Sequence, residues 1–309
     1  MSGENTIATF PRSNDFPISK PWIKDAFPVD EGLLLWEDTP GLVTAVGKST
    51  DDTFLTLTVG KDAATQEGNA VVAAKMGPNI LWSWHIWVTK QTFAANELTP
   101  VNTGRHVYLV TPVNLGWVAN TTSAPWGTNT FYQWGRKDPF PATGSASSVS
   151  SNSATIADNI LNPTTFYSVD ERPNTSTAYN LWDAKQTGTG DIATPTVKTV
   201  YDPCPPGFCV PTGDLHHYIG ESGRFYWRGT HKGGYLDGTD PLLFFPASGR
   251  LDNTNGSPWG FADTGYCWAA SVYGHKSSRC IHFHSTGLNF VYDVQVRGYG
   301  FPVRAVVEE

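Results

Sequence analysis

Apolar residues along this chain recur with the period of two that marks strands. After an opening of about 30 residues that mixes Pro, Asn, Ser and isolated aromatics without any period, three strand signals follow in succession. They are Leu33-Leu34-Leu35-Trp36, the run Leu42 to Val46, and Leu55, Leu57 and Val59 alternating with Thr56 and Thr58. GNAVVAAK (68–75) and ILWSWHIWVT (80–89) come next. In the latter, Ile80, Trp82, Trp84, Ile86 and Val88 share one pleat face and Leu81, Ser83, His85, Trp87 and Thr89 the other. Two heavy faces predict a central strand buried on both sides. Residues 119–198 are interrupted by Ser, Thr, Asn and Gly and read as a loop-rich insertion or surface layer, anchored at FYQWGRKDPF and NPTTFY. PTGDLHHYIGESG, with Thr212 as N-cap, predicts a short helix. LLFFPASG, CWAAS, RCIHFH, NFVYDVQV and FPVRAVV predict an all-β C-terminal part. No repeat of fixed period is present.

Composition narrows the functions. Aromatics make up 13% of the 309 residues and charged residues 16%, with 30 Gly and 22 Pro, which excludes a coiled coil or helical repeat. A net charge of −7 and the absence of a Lys/Arg run exclude an extended nucleic-acid or anionic-membrane surface. No window reaches the roughly 20 apolar residues of a membrane span, and MSGENTIATF lacks the basic and apolar segments of a secretory signal. Four cysteines are too few for a disulfide-built scaffold of this size. Nucleophile-elbow, phosphate-loop and dinucleotide motifs are absent and C-terminal carboxylates are sparse, so an enzyme is not expected.

The C-terminal third carries the chemistry. In Arg279-Cys280-Ile281-His282-Phe283-His284, Ile281 and Phe283 are expected inward and Cys280, His282 and His284 toward solvent or ligand. Tyr273, Gly274, His275, Lys276, Ser277 and Ser278 form a turn-like run whose composition resembles a paratope. Cys280, His282 and His284 have zinc-ligand chemistry, but a fourth ligand and a carboxylate behind them cannot be placed, so no metal or other cofactor is assigned. His216 and His217 cannot share a helix face and read as packing or solvated residues. His85 reads as a hydrogen-bonded interior histidine.

Taken in order, LLWEDTPGLV, GNAVVAAK, ILWSWHIWVT, FYQWGRKDPFP, NPTTFY, TVYDPCPPGFCVPT, FFPASGR, GYCWAAS and RGYGFPVRAV resemble the C-type-lectin-like domain of Bacteroidetes surface and fimbrial proteins, the Fibrobacter major paralogous type. A subset of that family is similar to the variable proteins of diversity-generating retroelements. The resemblance implies a mainly β (α+β) C-type-lectin-like fold over residues 31–309, with long loop insertions, one or two short helices, and paired first and last strands. Residues 1–30 would be an extended N-terminal arm. Trp36, Trp82, Trp84, Trp268, Phe283, Phe301 and Val303 would form the framework. A variable region over 266–299 would display Tyr266, Tyr273, His275, Lys276, Arg279, His282, His284, Asn289, Tyr292, Asp293, Gln295 and Tyr299 as one contiguous exposed ligand-binding patch. The function implied is non-enzymatic binding of a protein or glycan receptor on a cell surface. The protein would be extracellular, on the cell surface or on a virion, and a homo-oligomer or attachment through the arm is compatible with it. A fixed-specificity fimbrial tip or glycan-binding subunit is the alternative, and an oxidase similar to formylglycine-generating enzymes a third. Two departures stand out. The family's terminal cysteine, the partner of the cysteine in YDPCPPG, is Ala305 here while Cys209 is additional. The calcium-lectin motifs are also missing.

Overall fold

ILWSWHIWVT forms the strand Asn79–Val88 in the interior of a sheet ordered Ile7–Ala8, Asn79–Val88, Gly68–Met76, Glu31–Glu37. Trp82, Trp84, Ile86 and Val88 enter one hydrophobic cluster with Leu55, Leu57 and Val72, whereas Trp87 enters a second with Trp134, Trp182 and Trp268. The strand therefore divides two cores, as its two heavy faces require. His85 is the polar member between them. Its Nε2 lies 3.0 Å from Asn69 Oδ1 and its Nδ1 3.2 Å from Tyr132 Oη. Burial holds its pKa down at about 3, so the ring is neutral.

The computed structural model describes residues 29–50, 54–60, 67–118, 127–145, 147–151, 154–168, 178–188, 190, 192–221, 223, 225–236, 239, 242–286 and 291–309, with the backbone of Ile7–Ala8 and Asp15–Ser19. Among these the protein is mainly β with two short helices. The N-terminal segment read as an arm contributes two strands. Ile7–Ala8 runs parallel to Trp87–Val88, and Asp15–Ser19 pairs antiparallel with Phe54–Thr58. These two pieces lie at the edges of their sheets; the rest of the segment up to residue 28 lies outside the described residues.

The 119–198 stretch is more than a surface layer. Phe131, Trp134, Phe140, Phe166 and Trp182 are fully buried. Arg136 ties the stretch together by donating to the carbonyls of Thr165 (2.6 Å), Asn162 (3.2 Å) and Pro163 (2.9 Å). Lys137 meets both oxygens of Asp138 at 2.7 and 2.8 Å beneath the Trp82 ring. A short helix, Ile156–Leu161, begins there with a reciprocal cap between Thr155 and Asp158. The predicted helix is also present, at Gly213–Glu221. Thr212, expected as its cap, donates instead to the Ile192 carbonyl, and Ser271 Oγ accepts from the Gly213 N–H. Tertiary contacts have taken over the capping.

The chain end closes the molecule differently from the expected pairing of first and last strands. Val306–Val307 pairs with Phe208–Cys209 on one side and, through Val306, with Val110 on the other. Just before it, Trp268 N–H donates to Pro302, Leu115 N–H to Val303 and Thr111 N–H to Ala305. The terminal FPVRAV is therefore threaded between mid-chain segments, and its backbone groups are used there. Arg304 is wholly buried without a carboxylate. Its donors go to the carbonyls of Thr111, Pro112 and Phe244 and to Asn114 Oδ1, and burial lowers its pKa to about 10.

The DPCPPGF turn is built around two charges. Asp202 accepts from the N–H groups of Cys204 and Val210 at 2.7 and 2.9 Å, and burial raises its pKa to about 6. Lys198 Nζ donates to the carbonyls of Cys204, Pro205 and Phe208 at 2.7, 2.7 and 2.8 Å. K198M should leave three carbonyls without their donor and cost about 1–3 kcal/mol; urea unfolding checks it, and an unchanged midpoint would show that water replaces the ammonium. All four cysteines are buried thiols, and Cys204 shares its cluster with Ala305, so no bridge ties the turn to the terminal strand.

Candidate functional site

The segment expected to display the site is a long hairpin, Thr264–Tyr273 against Ser277–His284, extended by the strand Val291–Val296. Directly opposed residues of an antiparallel pair share a face. Gly265, Cys267, Ile281 and Phe283 face the cluster that contains helix residues Leu215 and Ile219. Tyr266, Trp268 and Cys280 face the cluster that contains Trp134 and Phe301. Ile281 and Phe283 are inward, as expected. Cys280 is not outward, and Tyr266 is 2% exposed and so is no displayed residue. Parity assumed a half-buried sheet, but this hairpin lies between two cores. Gly265 is dictated by the packing, because a Cβ there would stand 2.0 Å from the Phe283 ring.

At its open end the second face rises to the surface through a column of rings. Trp268 stacks on Phe301 (centroids 4.2 Å), Phe301 on Tyr266 (4.5 Å), and Tyr266 on half-buried His282 (4.5 Å, interplanar 1°). His284, also half-buried, lies 6.0 Å beyond His282.

A second row meets this column across the sheet Tyr132–Gln133, Gly300–Phe301, Arg250–Leu251, Pro258–Trp259. Tyr132 opposes Phe301, Leu251 opposes Gly300, and Arg250 opposes Trp259. Exposure climbs along the row from 0% at Tyr132 and Phe301 to 17% for the Arg250 side chain and 49% at Trp259. Arg250 is the junction. Its guanidinium carbon lies 4.4 Å from the Trp259 ring centroid, 4.3 Å from Tyr299 and 5.5 Å from Tyr266, and Nη1 donates to Tyr266 Oη at 3.2 Å. Asp252 Oδ2 stands 3.9 Å from Nη2, beyond hydrogen-bond reach, and buried Nε has no partner. Gly249 fixes the approach. At φ +68° a side chain is disfavoured, and a Cβ would fall 2.3 Å from the Trp259 carbonyl oxygen.

The remaining expected residues gather at the other end of the hairpin. Tyr273 is exposed, with the Arg279 guanidinium 4.4 Å from its ring centroid. His275 and Lys276 are exposed in the turn, and Tyr179 Oη lies 2.7 Å from His275 Nδ1. Along the strand this tip is roughly 20–25 Å from His282. Register puts Tyr273 and Arg279 on the Ile281 face and His282 and His284 on the opposite one. The expected single patch is thus two groups, a tip of Tyr273, His275, Lys276 and Arg279 and a base of His282, His284 and Tyr299. The physical reason is that alternate strand residues point to opposite faces, so one hairpin cannot display a continuous run on one side. Gln295 is half-buried and paired with Ser278. Tyr292 and Asp293 lie on the third strand with only their backbone described, and Asn289 lies outside the described residues.

Arg250 and Trp259 are not among the expected site residues, because FFPASGR, which ends at Arg250, reads only as a strand and an anchor of the resemblance, and Trp259 lies beyond it. The available signal was Gly249 and Gly260 flanking an Arg and a Trp at a surface turn. No three His, Cys, Asp or Glu side chains among the described residues come together as a metal site. Burial raises the thiol pKa values of Cys204, Cys209 and Cys267, which opposes nucleophilic use. No family model, characterised protein or solved structure matches this chain.

Proposed function

We propose that this chain is a non-enzymatic receptor-binding protein of C-type-lectin-like fold, similar to the variable proteins of diversity-generating retroelements. In this reading it meets a protein or glycan receptor on a cell surface through the base and tip of its C-terminal hairpin. One observation carries the reading: His282, His284, Tyr299, Arg250 and Trp259 form an accessible cluster standing on fully buried Trp268 and Phe301. Trp, Tyr and Arg dominate binding hot spots. Side chains at the top of such a column can change while the rings beneath hold the backbone.

Binding of isolated bacterial envelopes to the immobilised protein tests it. Y299A and H282A should weaken capture about tenfold, while L161S, at an exposed position on the helix Ile156–Leu161, should leave it unchanged. Equal capture by all three, or none by the parent, would overturn the reading. Sequencing of the locus then separates diversified from fixed specificity, since a near-identical repeat differing at adenines beside a reverse transcriptase selects the former.

A further inference from the structure

Charge is segregated on the C-terminal hairpin. Asp and Glu number 28 in 309 residues, which would place two or three in a stretch of 29, yet residues 264–292 contain none and carry Lys276, Arg279 and three histidines. The acids that bound the stretch lie away from the turn, Asp263 at the base and Asp293 in register with Cys280. Among the described residues, the carboxylates of the helix packed on the hairpin are engaged. Asp214 meets Arg105 at 3.1 Å and Glu221 meets His217 at 3.0 Å.

A further cation holds the turn from beneath. Arg297 is wholly buried and donates to the carbonyls of Gly274 (3.1 Å), Ser277 (3.2 Å) and Ala178 (3.3 Å) and to Ser278 Oγ (3.0 Å), while its backbone N–H donates to Lys276 (3.0 Å). No carboxylate is among these acceptors. Burial lowers its pKa to about 9, which leaves the guanidinium charged at pH 7. Gly274, at φ +66°, lets the chain turn there. The tip is thus a fixed turn with a buried positive charge below it and exposed Lys276 above.

Register decides what ligand can use this charge. Arg279 lies on the Ile281 face, Lys276 at the apex, and the Arg297 guanidinium on the other side, 4.2 Å from the Trp134 ring centroid. A single compact anion cannot meet both faces of a strand pair. A flexible chain with repeated anionic groups can cross the apex and feel both. Tyr273 is the one large apolar side chain strongly exposed at the tip among the described residues, a small footing beside the roughly 800 Å² per side of an ordinary protein interface. The chain's net charge of −7 repels a polyanion elsewhere and confines it to this prong.

We propose that the turn 273–279 is a subsite for an acidic glycan, a flexible chain bearing carboxylate or sulfate groups that crosses the apex of the hairpin. Lys276 and Arg279 meet its anions directly, and Arg297 adds attraction from below without contact. This inference rests on the receptor-binding reading and names its ligand class.

Calorimetric titration with heparin and with oligogalacturonate tests it, with neutral dextran, polyglutamate and single-stranded DNA as comparisons. At least one acidic glycan should bind more tightly than all three comparisons. Its affinity should fall about tenfold between roughly 50 and 300 mM NaCl, as counterion release from a linear polyanion requires. K276Q and R279Q should each lose about threefold and the double variant about tenfold, while R279K, which keeps the charge, should stay within about twofold. All four should melt with the parent, since both side chains reach solvent. H282A, at the base, should leave the glycan affinity unchanged although it weakens envelope capture. Absence of binding to both acidic glycans, equal or tighter binding of any comparison, indifference to salt, an unaffected double variant, or a loss in H282A as large as in the double variant would each overturn the subsite. If envelopes are still captured while no acidic glycan binds, the subsite fails and the receptor-binding reading stands; if neither binds, both fail.

Discussion

W268A should unfold this protein about 3–5 kcal/mol more easily than the parent, the largest single-residue loss expected from the C-terminal half. Trp268 is fully buried and joins three systems. Its indole N–H donates to the Tyr132 carbonyl at 2.9 Å, its ring stacks on Phe301, and its backbone N–H holds Pro302. Truncation opens a cavity under the ring column and strands a carbonyl at the same time, and two cores meeting on this hairpin leave little room for collapse. F283A should cost a similar amount, because its ring fills the space that Gly265 vacates. By contrast, Y273A and H284A, on partly or largely exposed side chains, should change stability by less than about 0.5 kcal/mol. Urea titrations decide it through the midpoint at constant slope. If Y273A melts as early as F283A, the separation of framework from displayed residues is wrong.

That separation also shows what the sequence can disclose. Asn79–Val88 is legible because five heavy residues on one face and Trp87 on the other leave no solvent side. Gly213–Glu221 is legible from its apolar spacing. Pattern fails where its meaning depends on what lies opposite. Ser277–His284 alternates as a half-buried strand would, yet Cys280 is buried because the aromatic layer of Trp134, Trp268 and Phe301 covers its side. Nothing within eight residues encodes that layer. Arg250 and Trp259 are nine residues apart and become a pair only through the tight turn Asp252–Ser257, in which Asp252 N–H donates to Ser257 and Gly256 N–H to Asp252. The tip and base groups are likewise continuous in sequence and opposed in space. Residue types that dominate hot spots can thus be read locally, whereas which of them share a surface is a property of the sheets.

Acid should weaken this protein by about 3–5 kcal/mol between pH 7 and pH 4, and His216 should account for much of that loss. His216 and His85 are both wholly buried, with pKa values held down at about 3; for His216 burial is the larger cause and the positive charge of Arg304 adds to it. In the unfolded chain each would titrate near 6.5. Below pH 6.5 the unfolded state therefore binds protons that the folded state refuses, and stability falls as pH drops, by up to about 1.4 kcal/mol per pH unit for each histidine. Asp202 works the other way. Its folded pKa of about 6 lies above the 3.8 of a free carboxyl, so it takes up its proton first in the folded state and returns about 2 kcal/mol over the same range. Two histidines against one aspartate leave the net loss. The histidines differ in partnership, since His85 is held by Asn69 and Tyr132 while both ring nitrogens of His216 are buried without a partner. H216L replaces an unsatisfied ring by an apolar side chain, so it should hold or gain about 1 kcal/mol at pH 7 and lose markedly less than the parent at pH 4. Urea midpoints of parent and variant at pH 7, 5.5 and 4 measure both effects, and an H216L protein as acid-labile as the parent would show that His216 is not the group refusing the proton.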